Sequence, residues 1–536
     1  MSAADLRPSM PGGMTHPAVL DRRMKDALVM ALTGLVPAAA ALGITVAFPN
    51  LGILPVLGAI ISVLAVVMLM VSTRLEITVL VVAFYLATLD GPVKLLFSLG
   101  ELAPAVRDIL LLAICVGVGM RVLVNRERVR LPPLSGWVLA FTGIVLMEAF
   151  NPHTVSILKV IAGFRAQLEW VPFFFFGYLL MRSRLRFRQL FLFLGVVALA
   201  NGAVSTYQTS LSPGQLASWG PGYRQRVMPE GTSANGTPLK SRVYSSEGEE
   251  RVRPMGLGSD AGFGGGVGVL ALPAALALLA LWPARRRWIA LILALGAIAA
   301  VATGLGRLQV IGAVIGALAF VGLAVIAGRR TRAFAAVSTL LVVAIPLGIL
   351  FVAVVRSGTF KRYASIAPGQ AASTVPTHKS NAWTKIPKVI AAAPFGVGLG
   401  TVGSVGGFGG KITDLVEGHT VSSETQYNYV TNELGAPGLI LWVSLSLYII
   451  ALAVRVLPRV QDDEIAISLA AVFAPFVALF FMGFSGPWYS SAATGPYFWF
   501  AIGIAAYWLV GPGLKMYPRR KAASRVEPPA LAAAVA

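Results

Sequence analysis

The chain has 536 residues, 56% of them apolar and 12% charged, and a formal charge of +21. A soluble domain is roughly a quarter charged, so most of this chain does not face water, and a set of soluble domains is excluded in favour of an integral membrane protein. Lys and Arg gather on the cytoplasmic side of such proteins for topological reasons, so the charge does not indicate nucleic acid, and no nucleic-acid partner is expected.

No charged residue occurs from Ala27 to Thr73, and Pro49-Asn50 divides that stretch into two spans of membrane length. Arg22, Arg23 and Lys25 precede it, which predicts a retained signal anchor behind a cytoplasmic segment, 1–26. Further spans are predicted near 75–89, 103–124, 134–150, 162–181, 189–209, 259–283, 288–303, 307–327, 333–355, 434–456, 463–483 and 494–511. The reading is an all-α polytopic membrane domain over 27–511 with about fourteen transmembrane helices, followed by a disordered cytoplasmic tail, 512–536. Alternating sides from a cytoplasmic start puts the Arg121–Arg130, Arg182–Arg188, Arg285–Arg287 and Arg329–Arg332 clusters inside, with both termini. It puts two long loops outside, 210–258 and 356–433, and long loops in a compact protein are usually functional or disordered. Cys115 is the single cysteine, so neither an intrachain disulfide nor a cysteine metal cluster is expected.

Several charged residues need a reason. Arg165 and Glu169 lie about 26 and 20 Å from Arg182 at the helical rise, in the outer half of the bilayer. Four apart, they either neutralise one another or aim a cation into an outer cavity. Arg251 and Arg253 enter the membrane just before Asp260, either as a solvated pair or as a forked clamp for a diphosphate. Arg307 opens a span after Thr303-Gly304-Leu305-Gly306, where it either snorkels to lipid phosphate or meets an incoming phosphate.

In the second loop Trp383, Ile386, Val389 and Ile390 recur at helical spacing and predict a short amphipathic helix on the outer surface. Gly398-Leu-Gly400-Thr-Val-Gly403 matches a dinucleotide fingerprint, but no strand precedes it, so the expectation is a flexible or close-packed loop. Glu417-Gly-His419 and Glu424 to Asn428 then bring acid, imidazole and amide to one membrane entry. His419 is either solvated or functional. Glu424 is a general base if desolvated, or the partner of a loop cation. The four histidines are scattered without ligand spacing, so no metal and no other cofactor is expected.

Four segments together resemble the O-antigen ligase and polysaccharide polymerase family of bacterial envelope glycosyltransferases. They are RVRPMGLGSDAGFGGGVGVL, TGLGRLQVIGAVIG, NAWTKIPKVIAAAPFGVGLG and SSETQYNYVTNELGAPGLI, and GFRAQLEWVPFFFFGYLL looks like an upstream signature of exopolysaccharide-type members. The resemblance covers roughly 151–438. It implies a glycosyltransferase C-type membrane fold in the bacterial inner membrane, among membrane lipids. The implied activity is metal-independent transfer of a glycan from a polyprenyl-diphosphate carrier to an acceptor glycan or lipid at the outer face. By position, Arg253 and Arg307 would meet the diphosphate, the helix holding Glu424 and Asn428 would face the acceptor, and Arg165, Arg251, Asp260 and Trp383 would line the substrate. The ligase pattern has a His close before the Asn of that helix; here Glu424 stands there and His419 lies five residues earlier, which favours a polymerase or another acceptor over lipid A core. The rival reading is a transporter or flippase of lipid-linked oligosaccharide, which should carry midplane polar groups on broken helices, and no inverted pair of these is legible.

Overall fold

The computed structural model describes residues 75–97, 102–124, 131–152, 154, 156–230, 241–246, 249–354, 363, 383–401, 425–489 and 491–515. The chain divides into two units, Met1–Val82 with Val106–Val129, and Ala83–Ala105 with Arg130–Ala536. Helix α1 (Leu75–Phe84) runs through a π-helical turn (Tyr85–Leu89) into α2 (Asp90–Phe97), and α3 spans Leu102–Val124.

The larger unit continues with α4 (Ser135–Glu148), α5 (Ile157–Leu168), α6 (Pro172–Leu180) and α7 (Arg184–Thr209). After it come α8 (Pro213–Ala217), α9 (Pro221–Val227), α10 (Phe263–Leu281), α11 (Ala284–Thr303), α12 (Arg307–Ile326) and α13 (Arg330–Val354). A helix α14 over 383–392 precedes α15 (Gln426–Val456), α16 (Asp463–Met482) and α17 (Gly495–Ala505). Among the described residues eight helices are long and apolar enough to cross a membrane, and two more, Ser135–Glu148 and Gly495–Val510, are apolar but shorter. The protein is thus a helical, polytopic membrane protein. The two spans expected within 27–73 lie outside the described residues.

Helix starts follow local chemistry. Ser183 accepts a hydrogen bond from Arg186 N ahead of α7, and Asp462 caps α16, whose first turn adds Asp463 and Glu464 to complement the helix dipole. That acidic start collects arginines: Arg184 pairs with Asp462, Arg188 Nε lies 2.6 Å from Glu464 Oε1, and Arg332 lies 2.9 Å from Asp463. Two basic clusters that the charge map assigns to one side therefore meet at one end of the bundle.

Helix α10 is the central element, packed by α7, α11, α12, α13 and α16. Small residues permit the close approach: a Cβ on Gly268 would lie 2.6 Å from Ala297 O, and one on Gly202 the same distance from Gly296 O. Helices α6 and α17 touch through Gly177 and Gly503, each set against the other helix's backbone.

One expectation is revised. The span over 162–181 is not continuous: Glu169, Trp170 and Val171 form a turn between α5 and α6, with Phe173 N and Phe174 N bonding three residues back, to Trp170 O and Val171 O. Pro172 at the start of α6 has no N–H to extend the ladder. The described parts of loop 210–258 are folded, and they add an antiparallel hairpin, β1 (Val243–Ser246) with β2 (Glu249–Val252), to the helical fold. Val252, Leu95, Leu216, Tyr223, Val227 and Met255 bury one another in a small core there, which pushes the Tyr223 phenol pKa up.

Candidate functional site

The N-terminal ends of α10 and α12 meet, and the starts of α12 and α15 both meet the turn 483–489. Gly304, before α12, would hold a Cβ 3.2 Å from Gly265 N in the first turn of α10, and Gly262, capping α10, lies against Gln309. Gly486 abuts Leu308, where a Cβ would lie 2.7 Å from its Cδ2. Gln426 N donates to Gly483 O at 3.0 Å, so the same turn meets the start of α15. Unsatisfied N–H groups and aligned peptide dipoles make such ends favourable for anions.

Arg307 is the first residue of α12 and is exposed, with no side-chain hydrogen bond or ion pair among the described residues. The turn before it carries a left-handed residue, but this is Leu305 (φ 50°) rather than either flanking glycine. A buried leucine there is a strained backbone position held by its surroundings.

Asp260 is engaged by a residue the sequence did not single out. Arg242 reaches its two oxygens at 2.6 and 2.8 Å in forked geometry, and Asp260 also accepts from Ala261 N. Arg242 O in turn accepts from Arg253 N at 2.8 Å, which ties the hairpin to the start of α10. Arg251 and Arg253 flank Val252 on the opposite face of the strand from its buried side chain, and both are partly buried. A lone arginine in a polar loop carries no local signal, so Arg242 was not legible.

Helix α15 is two helices in one. Thr425 caps its start, accepting from Asn428 N at 3.1 Å and donating to Asn428 Oδ1 at 2.5 Å. Asn428 is consequently buried beneath the cap. Glu424 and His419 lie outside the described residues. At Gly435 the backbone turns (φ 61°, ψ −159°), and Ala436 N bonds Pro394 O while Val397 N bonds Asn432 O. A Cβ at Gly435 would strike the backbone of 394–396.

That contact seats the glycine-rich tail of the second loop. Gly396, Gly398 and Gly400 all have positive φ, and the segment packs against Thr154 and Lys159, so the close-packed reading holds for its described part. Glu433 sits at the centre, fully buried. Its carboxylate accepts from Gln167 Nε2 at 2.7 Å and Thr401 N at 3.1 Å, and its charge interacts with Lys159, whose Nζ donates to Gly400 O at 3.1 Å. Three segments that look separate in the sequence, 159–170, 394–401 and 432–435, are thereby locked together.

Trp383 stacks on Phe484 at 5.1 Å and tilts against Tyr427 at 5.7 Å, and Tyr427 donates to Phe480 O. Arg165 and Glu169 are partly buried at the end of α5, and Glu169 is near enough for its charge to act on Tyr429 and Tyr489. Among the expected residues, Trp383 touches the turn 483–489 directly, Arg307 is next to Leu308, which abuts it, and Asn428 lies in the first turn of α15, whose start meets it. Arg251, Arg253 and Asp260 belong to the hairpin beside α10, and Arg165 to the broken helix near α15. Gln167, Lys159, Gln426 and Glu433 were missed, because an amide or charge in an apolar span announces itself only when its partner is known. No protein-family pattern, curated protein or solved structure matches the chain.

Proposed function

We propose that this chain is a metal-independent membrane glycosyltransferase. It moves a glycan from a polyprenyl-diphosphate carrier to an acceptor sugar or glycan at the outer face of a bacterial inner membrane, as a polymerase or ligase. About fourteen spans and cytoplasmic termini belong to the same reading. The observation that supports it best is the meeting of the α10 and α12 N-termini at Arg307, with the start of α15 on the adjoining turn and the hairpin of Arg251 and Arg253 on the α10 side. In the reaction the anomeric carbon–oxygen bond to the diphosphate breaks and an acceptor hydroxyl oxygen bonds to that carbon. Charge grows on the leaving diphosphate, which Arg307 and the helix ends stabilise, while the hydroxyl proton passes to a base, for which Glu424 is the assigned residue.

Purified protein incubated with a polyprenyl-diphosphate oligosaccharide tests this. Chain growth with released lipid diphosphate, read by mass spectrometry, is the expected result, and an unchanged donor overturns it. One observation favours the transporter class instead: the break at 169–171 and the turn at Gly435 are joined through Gln167 and Glu433, and paired discontinuous helices are how transporters build sites. Movement of the intact lipid-linked glycan across vesicles, without bond cleavage, would select that reading.

A further inference from the structure

At the start of α15 and in the turn that meets it, two buried side chains hold N–H donors with no acceptor among the described residues. Gln426 is 1% exposed and Trp488 4%. The Gln426 carboxamide is oriented by its surroundings: its Oε1 accepts from Trp488 N at 3.3 Å and Tyr489 N at 3.1 Å, so that edge must be the oxygen and Nε2 faces the other way. Among the described residues neither Gln426 Nε2 nor Trp488 Nε1 has a hydrogen-bond partner. Both side chains border Gly483, where a Cβ would lie 3.3 Å from Gln426 Cβ and 3.3 Å from Trp488 Nε1. Native interiors seldom leave such donors unmet, and two together mark a place for an oxygen.

The neighbours narrow what that oxygen belongs to. Beside Gly483 and Gln426 stand Phe484 and Tyr427, and Trp383 stacks on Phe484, whose ring is partly exposed. An aromatic face accepts the apolar C–H face of a sugar, and amphipathic rings with a few placed donors are the usual lining of such sites. The nearby Phe480 carbonyl accepts from the Tyr427 hydroxyl, and two donors side by side suit best an oxygen that only accepts.

We propose that Gln426 and Trp488 form a sugar subsite at the head of α15, reading an acceptor-only oxygen of a glycan unit, either a uronate carboxylate or an N-acyl carbonyl. Its role as the acceptor subsite rests on the transferase reading; the binding does not. The full chain in lipid nanodiscs, titrated calorimetrically with D-glucuronate, N-acetyl-D-glucosamine and D-glucose, tests it and separates the two oxygen sources. One of the first two should bind at least about tenfold tighter than glucose, the discrimination expected when two buried donors find or miss their acceptor. Trp488→Phe removes the N–H together with the five-membered half of the indole, and Gln426→Glu keeps an oxygen facing the 488–489 backbone while removing the free donor, so agreement between the two separates the loss of a donor from the loss of ring volume. Each should reduce that preference to within about threefold. Equal binding of all three sugars by the wild type, or a preference retained in both variants, overturns the subsite. Chain growth without sugar preference would sink the subsite alone, whereas preference without chain growth would sink the transferase reading alone.

Discussion

Glu433→Gln should unlatch the glycine-rich segment from the turn in α15. The carboxylate takes two N–H donors, from Gln167 and Thr401, and faces the charge of Lys159, which is 1% exposed. An amide of the same shape can accept only one of those donors, and its NH₂ opposes the other. It also leaves the charge of Lys159 buried against Gly400 O without the Glu433 carboxylate that faced it. Removing one partner of a buried pair costs about 3–5 kcal/mol, within which the misdirected hydrogen bond accounts for about 1–3 kcal/mol. A loss of about 3 kcal/mol is more than a hundredfold in the folded ratio. Reversible unfolding in mixed micelles by added dodecyl sulfate measures it. Adding Lys159→Met removes the stranded charge, so the double variant should recover at least about 1 kcal/mol relative to the sum of the singles. A Glu433→Gln protein within about 0.5 kcal/mol of wild type, or strict additivity with Lys159→Met, would show that this pair does not hold the segment.

Arg307→Ala should lower the transfer rate on the order of 100-fold, as for loss of one contact to developing charge, with Arg307→Lys also impaired because the forked donor geometry is lost. Arg286→Lys, at the other end of α11, should remain normal; undiminished chain growth by Arg307→Ala at equal expression would remove the residue from the mechanism. Gly435→Ala combines a disfavoured positive φ with a clash against 394–396, so a destabilisation of about 2 kcal/mol or more should appear as a lower melting temperature; an unchanged melt would mean the turn tolerates a side chain. For topology, in a Cys115→Ala background, a cysteine at exposed Ser212 should react with an impermeant thiol reagent in spheroplasts, whereas one at Arg286 should react only after lysis. The reverse pattern would invert the orientation.

Local composition was enough to delimit most helices. Serine or aspartate caps, arginine flanks and unbroken apolar runs sit next to the residues they control, so the starts at Arg184, Arg307 and Asp463 could be approached from hydropathy and charge alone. The amphipathic order of Trp383, Ile386 and Val389 and the tight packing implied by alternating glycines belong to the same class of signal. The break at 169–171 carries local signals in Glu169 and Pro172, but hydropathy averaged over 162–181 passes over them, because it measures transfer from water, not the direction of the chain. Asp260 reads as a free acid until the hairpin brings Arg242 to it, and Asn428 reads as a ligand-facing amide until Thr425 covers it. Gln167 and Glu433 are 266 residues apart, and Gln426 meets Trp488 across 62. A buried polar group is stable only where a distant segment supplies its complement, and that pairing is a property of the folded chain in three dimensions.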